Sequence, residues 1–337
     1  MKTFVSLVLR ILSNNLMSNY LVTGAAGFIG SRVSEMLNEQ GHAVTGVDNL
    51  NDAYDVRMKE YRLRKLQVLP GFTFKKLDIS EYGSVESLPA FDAVINLAAR
   101  AGVRASVENP WVFVETNVTG TLNLLELCRQ KKIRKFILAS TSSIYGAKAP
   151  LPTPETADSD HPLQPYAASK KGAEALSHSY HALYGIDVSV VRYFTVYGPA
   201  GRPDMSMFRF TKWICEGQAL QLYGDGEQSR GFTYVDDIAR GTIAALKPLA
   251  YEIINLGGHE VITMNALIAL FEERIGRKAV IEQHPPNQAD MLTSHADVTK
   301  AGSLLGWQPK VGLKEGIARL VDWYRAERKW AKDVSLG

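Results

Sequence analysis

Short, almost wholly apolar runs recur along the N-terminal part of the chain, at 19–23, 42–47, 72–77, 92–97, 135–140 and 188–193. Runs of this length rich in Val, Ile and Phe predict strands. Between them lie longer segments in which apolar residues return every three or four positions, and these predict helices at 28–40, 110–131 and 165–184. Strands that show no polar alternation are buried on both faces. Strands alternating with helices therefore predict an α/β fold, with a parallel, doubly wound sheet covered on both sides. Ligands of such sheets bind beyond the carboxyl ends of the strands.

After Tyr193 the pattern loosens. Residues 198–203 read as a loop, 205–216 as a helix, 220–223 as a short strand and 224–226 as a turn. A strand follows at 232–235, with Asp236 as the N-cap of the next helix. Residues 253–256 read as a last strand of the main sheet, and 313–328 as a terminal helix. No repeat or low-complexity tether separates the parts. The expected organisation is a nucleotide domain at 17–194, to which 231–256 returns, interleaved with a smaller α/β substrate domain at 195–230 and 257–330.

Composition narrows the class. A net charge of +3 over 337 residues gives no reason to expect a nucleic-acid or membrane partner. Two cysteines, Cys128 and Cys215, suit a reducing compartment and a cytoplasmic protein. Neither has metal-ligand spacing, and His178 and His181 have no ligand partner near them in sequence, so no metal is expected. Residues 1–16 are apolar but interrupted by Arg10, lack a small-residue cleavage site, and are too short to span a bilayer. They read as a disordered extension ahead of Met17, with a membrane-surface helix as the alternative.

Chemistry enters with Gly24-Ala25-Ala26-Gly27-Phe28-Ile29-Gly30, which follows a strand and opens a helix. In that context Gly24 permits the tight turn, Gly27 lets the backbone approach a pyrophosphate, and Gly30 lets helix and strand pack closely. The helix start at Phe28 and Ile29 supplies amides and a favourable dipole for phosphate. Asp48 ends the second strand, where a carboxylate accepts from both ribose hydroxyls and repels a 2′-phosphate, favouring NAD over NADP. The plainer reading of Asp48 is a turn residue continued by Asn49. Asp78, with Ile79 beside it, either accepts from the adenine amine or caps a helix. Leu97, Ala98 and Ala99 end the fourth strand and leave its backbone open to a cofactor.

Tyr166 and Lys170 lie four apart, on one face of a helix. An ammonium beside a phenol stabilises the phenolate and lowers its pKa. A phenolate near a nicotinamide takes a proton from an alcohol while hydride leaves the carbon. Either motif alone is weak. Together they predict NAD-dependent redox chemistry at a hydroxyl group.

These segments, with Asn96–Ala99, Ser140–Gly146, Arg192–Pro199 and Arg230–Asp237, resemble the extended short-chain dehydrogenase/reductases, in particular their nucleotide-sugar epimerase and dehydratase group. The resemblance covers about residues 17–330 and implies a Rossmann-type fold, bound NAD, a UDP-sugar substrate and a homodimer. It implies Tyr166 as base, Lys170 on the nicotinamide ribose, and Thr141 as the hydroxyl that bonds the reacting alcohol. It further implies a structural or nicotinamide-side role for Asn117, cofactor- or substrate-lining roles for Tyr193 and Thr195, and diphosphate pairing for Arg230. Asp290, in a variant of the family's Gly-Asp-Val segment, is placed near the nucleotide. The dimer would form through the helices at 110–131 and 165–184, where Leu122, Leu125, Leu176 and Leu183 either serve it or face the sheet.

Members of the group share the oxidation and differ in the fate of the ketone. Dehydratases carry Asp-Glu after the Thr141 position and decarboxylases a Glu in that segment; here stand Ser142 and Ser143. Neither is a general acid or base near neutral pH without activation, so reduction back to the alcohol is the expected outcome. The segments at 49–55, 101–104 and 195–205 are similar to those of UDP-glucuronate 4-epimerases. A carboxylate substrate needs several donors and a cation. Thr141, Ser142, Ser143 and Thr195 offer hydroxyls, and Arg202 or Arg104 offers charge. Rival readings are a UDP-glucose/galactose or N-acetyl-sugar 4-epimerase, a UDP-glucuronate decarboxylase, and a non-catalytic NAD-binding scaffold.

Overall fold

The computed structural model of the protein describes residues 17–285 and 293–337. The expectations for 1–16 and for Asp290 lie outside the described residues. The first strands are β1 (Asn19–Thr23), β2 (Ala43–Asp48), β3 (Phe72–Lys76), β4 (Ala93–Asn96), β5 (Lys135–Thr141) and β6 (Asp187–Tyr193). Then come β7 (Thr195–Tyr197), β8 (Ala219–Tyr223), β9 (Ser229–Tyr234), β10 (Tyr251–Leu256), β11 (Val261–Thr263), β12 (Val280–His284) and β13 (Thr293–Ser294).

Seven strands form one parallel sheet in the order β10-β6-β5-β4-β1-β2-β3. The direction of winding reverses between β1 and β4, and a doubly wound sheet opens a ligand crevice at such a point. Thr23 pairs with Asn96, so the two strands end level there. β5 is buried at every position, as a central strand covered on both faces must be. Helix Phe28–Glu39 starts at Gly27 and buries Phe28, Gly30, Val33, Ser34 and Leu37, the spacing of one helical face.

β7, β9, β11 and β13 make a smaller sheet, and β8 pairs in parallel with β12. A second apolar core fills this unit, built from Tyr197, Phe210, Leu222, Phe232, Phe271 and Leu320 among others. Residues 231–234 sit in the smaller sheet, and the return to the large one begins with helix Val235–Ala244. Phe28 points into the second core while Val33 and Leu37, on the same helix, point into the first. One helix thereby joins both units.

Several expectations need correction. The helix expected at 110–131 is broken into Trp111–Val114, a π turn Glu115–Thr119, and Gly120–Lys131, and a separate short helix Val103–Glu108 precedes it. Helix Val56–Gln67 is an addition to the expected elements; Asp55 caps it by accepting from the Arg57 amide. Asp236 is not an N-cap: Tyr234 holds that position, and Asp236 lies in the first turn, paired with Arg32 Nε at 2.8 Å. Leu125 is fully buried among core residues and Leu176 packs on the same core, whereas Leu183 is exposed. Among the described residues no helix is long and apolar enough to cross a membrane.

Candidate functional site

The glycine turn sits at the β1/β4 crevice, and each glycine is there for want of room. Gly24 has φ +67°, and a Cβ on it would stand 2.7 Å from Ala98 N and 2.8 Å from Leu97 O. On Gly27 it would meet Gly24 O at 2.8 Å, and on Gly30 the same oxygen at 2.1 Å. The turn is therefore bare backbone, and the helix beyond it has no side-chain cap on its first amides. A cradle of this kind fits a pyrophosphate held by main-chain N–H groups. Phe28 and Ile29 contribute there through the backbone, since both side chains pack inward.

Asp48 is buried, and its Oδ1 accepts from the Leu50 amide at 2.8 Å and from Lys59 Nζ at 3.2 Å. The turn role is real, yet Oδ2 takes no hydrogen bond from any described residue and is available to a ribose. Asp78 accepts from Ser80 N and Oγ, and from Asn49 Nδ2 at 2.7 Å. Although burial pulls the other way, these bonds from Ser80 and Asn49 hold its carboxyl below the usual range. Ile79 packs its side chain against Gly120, so close that a Cβ there would be 2.8 Å from Ile79 Cδ1. At the end of β4, Ala98 N donates to Thr23 Oγ1, which itself donates to Asn96 Oδ1. That pair fixes the floor on which Leu97–Ala99 lie.

Tyr166 and Lys170 stand on helix Pro165–Tyr184, and Thr141 ends β5 beside them. Thr141 caps the short turn Ser142–Tyr145 by accepting from the Ser143 amide at 3.1 Å, which presents Ser142 and Ser143 at the strand end. Burial pushes the Tyr166 phenol up; a hydrogen bond with Thr141 and the positive charge of Arg202 oppose it. Helical spacing assigns that charge to Lys170. It lies deeper, 2% exposed, and faces the carboxylate of Glu174 one turn on. Burial pulls its ammonium down to about 8. The ammonium finds no hydrogen-bond acceptor among the described residues, which suits a group that binds a cofactor ribose.

Arg202 enters this cluster from the loop after β7. Asp204 grips it through Nε at 3.0 Å and Nη2 at 2.6 Å, and Nη2 also reaches Ala101 O at 3.3 Å. Thr141, Tyr166 and Arg202 are thus brought together, with Ser142, Ser143 and Thr195 at the adjoining strand ends, each half-buried. A cavity of about 270 Å³ continues from Ser142 past Tyr145 and Phe194 to Thr293 and Ser294. Arg104 is exposed and lies over the Tyr223 ring at 5.1 Å, and Arg230 donates to Ser229 O.

One expectation changes here, and of the two roles left open for Asn117 the structure shows the structural one. Tyr193 turns its ring into the core and bonds Thr242 at 2.7 Å, so only its backbone stands at the strand end. Asn117 spends its whole amide on structure: Oδ1 accepts from Arg100 N, and Nδ2 donates to Arg100 O and to Ser169 Oγ. Sequence reasoning missed the buried network behind the site. Arg192 pairs with Glu174 through two bonds of 3.0 and 2.7 Å and donates to the Tyr145 hydroxyl, while Ser140 Oγ donates to Glu174. The signal was present, since an arginine inside an otherwise apolar strand needs a buried partner.

The family model of the NAD dependent epimerase/dehydratase family matches residues 20–257. A UDP-glucuronate 4-epimerase of Thermodesulfobacterium geofontis is 55% identical over 324 residues, covering 95% of this chain and 100% of that protein. The crystal structure of UDP-glucuronic acid 4-epimerase from Bacillus cereus, in complex with UDP-glucuronic acid and NAD, is 36% identical with a TM-score of 0.87, covering 92% of this chain and 99% of that one. UDP-glucose 4-epimerase from Thermotoga maritima with UDP-glucose is 35% identical, with a TM-score of 0.85 over 92% and 99% of the two chains. The crevice, the glycine cradle, the Tyr166–Lys170 helix and these likenesses agree, and the chain belongs to the NAD dependent epimerase/dehydratase family.

Proposed function

We propose that the protein interconverts UDP-glucuronate and UDP-galacturonate by epimerisation at C4. The observation that carries this reading is the pair of hydroxyls, with no carboxylate, immediately following Thr141, in a site where the positive charge of Arg202 bears on Tyr166. A uronate carboxylate finds a cation and several donors there. The glycine cradle and Asp48 would hold NAD, which would supply reversible hydride acceptance at C4 of the sugar. Tyr166 receives the C4 hydroxyl proton at its phenolic oxygen and later returns it. Thr141 holds that hydroxyl in line, and Lys170 binds the nicotinamide ribose. Arg202 and Thr141 lower the cost of charge on the phenol, the role that helical spacing alone assigns to Lys170.

Immediately after Thr141 the chain offers the hydroxyls of Ser142 and Ser143 in place of an acid that could eliminate water from the ketone. Presenting its other face and reducing it inverts C4 with no net redox change, so the NAD need not leave. We propose further that the protein works as a cytoplasmic homodimer, with exposed Trp111, Val114, Leu183 and Tyr184 as the paired surface. Arg230 and Asp290 are assigned to the nucleotide end of the substrate, and Arg104 to the mouth of the cleft.

Incubation with UDP-glucuronate and, separately, UDP-glucose, without added NAD, tests the reading. UDP-galacturonate as the main product is the expected result. Turnover of UDP-glucose alone would assign the neutral sugar, and a UDP-pentose as main product would assign a decarboxylase. A Tyr166→Phe protein that loses most turnover while keeping its NAD excludes the scaffold.

A further inference from the structure

Arg62 is only 3% exposed, yet among the described residues no carboxylate is a hydrogen-bond partner of it. Its guanidinium donates to Ala200 O from both Nε (2.9 Å) and Nη2 (2.7 Å), and to Gly201 O at 3.2 Å. Nη1 donates to Ala26 O, inside the glycine run, at 3.2 Å and to the Tyr54 hydroxyl at 2.8 Å. The rings of Tyr54 and Phe28 flank it at 5.5 and 5.9 Å. Burying a charge against neutral carbonyls alone is costly, so the arrangement calls for a reason.

The reason lies in the loop that owns the carbonyls. Ala200 has φ +53°, a region that a residue with a Cβ enters at a cost, and Gly198 has φ +152° with no room for a Cβ beside Val235. A loop in that conformation persists only where its surroundings over-determine it. Two residues beyond Ala200 comes Arg202, whose charge bears on Tyr166. We propose that Arg62 is a positioning residue: it clamps the loop at 198–203 onto the cofactor turn and so sets where Arg202 stands. The clamp makes the cofactor cradle and the substrate cation one rigid assembly. Its catalytic consequence rests on the reading of Arg202 as the cation that meets the uronate carboxylate.

Lysine offers a point charge in place of a five-donor fork and cannot hold three segments at once, so Arg62→Lys keeps the charge and removes the clamp. Tyr54→Phe removes one contact and serves as the milder variant. Both are studied as NAD-bound protein, alone and in an Arg202→Gln background. Hydrogen exchange at 198–204 is expected to rise in Arg62→Lys while β5 stays unchanged. KM for UDP-glucuronate is expected to rise about tenfold with kcat within about threefold, and the same change in the Arg202→Gln background to move KM by less than about twofold. Tyr54→Phe should show the same pattern at smaller amplitude. Unaltered loop exchange in both variants, or an equal KM effect in both backgrounds, overturns the proposal. If Arg202→Gln alone leaves KM for UDP-glucuronate unchanged, the Arg202 reading fails, and loop exchange by itself decides the clamp.

Discussion

Asn117 donates to Ser169 Oγ across 2.9 Å, and Ser169 Oγ donates in turn to Tyr166 O at 2.8 Å. The π turn Glu115–Thr119 is thereby stitched to the first turn of the helix that carries the phenol. A π turn adds a residue to the helix and rotates the turns after it, which is how Asn117 comes to face both Arg100 and Ser169. Phe113 completes the contact, edge-on to the Tyr166 ring with centroids 6.1 Å apart.

Asn117→Ala breaks three hydrogen bonds and leaves the Arg100 N–H and C=O without their side-chain partners. A loss of about 2–4 kcal/mol in denaturant unfolding is expected, together with a fall in kcat of at least about tenfold. A variant that unfolds earlier yet keeps its kcat would show that Tyr166 does not depend on this stitch.

Gly30→Ala forces a methyl to within 2.1 Å of Gly24 O, and the helix has no slack to yield. Loss of bound NAD and of more than about 3 kcal/mol is expected. Gly41 is the control. It also has positive φ, but nothing lies within 4 Å of a Cβ there, so Gly41→Ala should cost about 1 kcal/mol and leave NAD content alone. Equal NAD loss in the two variants would count against the cradle.

Much of this is legible from sequence, and the remainder is hidden for physical causes. The six strands expected before residue 194 stand within a residue or two of β1–β6; the inner strands, buried on both faces, leave unbroken apolar runs, while the edge strand β3 is mostly exposed. The three glycines are legible for the same kind of reason, as missing side chains mark close backbone approach. Helix Val56–Gln67 is not, since Arg62 occupies its buried face where an apolar residue is expected. Helical spacing gives Lys170 the role of tuning Tyr166. Spacing fixes a shared face but not depth: Lys170 buries toward Glu174, and the charge that bears on the Tyr166 phenol is that of Arg202, remote in sequence. Long-range placement of this kind leaves no local trace.

Asp48 is the acceptor expected to exclude a 2′-phosphate, and Lys59 lies 3.2 Å from it, bonded also to Asn51 Oδ1. Asp48→Asn removes the negative charge and leaves that cation in place. NAD affinity should fall by about tenfold or more while NADP affinity rises, since an ammonium pairs with phosphate. The ratio of the two dissociation constants measures the effect; an unchanged ratio would place the discrimination elsewhere.

Lys170 makes stability depend on pH. Its folded pKa, about 8, lies below the ordinary value of 10.5, so between the two the unfolded chain binds the extra proton. Stability from this group therefore rises with pH across that window, by at most about 1.4 kcal/mol per unit, and is flat below it. In the cofactor-free protein, the stability of wild type relative to Lys170→Met should improve between pH 8 and about 10. A pH-independent difference in urea midpoints would show that the ammonium is not desolvated.

The proposed reading gives Ser142 and Ser143 a part in the fate of the substrate. The 4-keto-glucuronate is a β-keto acid and loses carbon dioxide when its carboxylate can rotate so that the breaking bond overlaps the carbonyl. Hydroxyls that hold the carboxylate against that rotation protect it, and these two stand at the turn that Thr141 caps. Removing both, as Ser142→Ala/Ser143→Ala, should leave Tyr166 and its proton transfer in place while a UDP-pentose or its 4-keto precursor appears beside UDP-galacturonate. A rise of about tenfold in the decarboxylated fraction corresponds to about 1.4 kcal/mol of lost restraint, the scale of one charge-assisted hydrogen bond. The product ratio by chromatography reads this directly. Should the double variant slow epimerisation with no new pentose, the serines bind the carboxylate without steering it, and the protection must come from elsewhere, with Arg202 the next group to test.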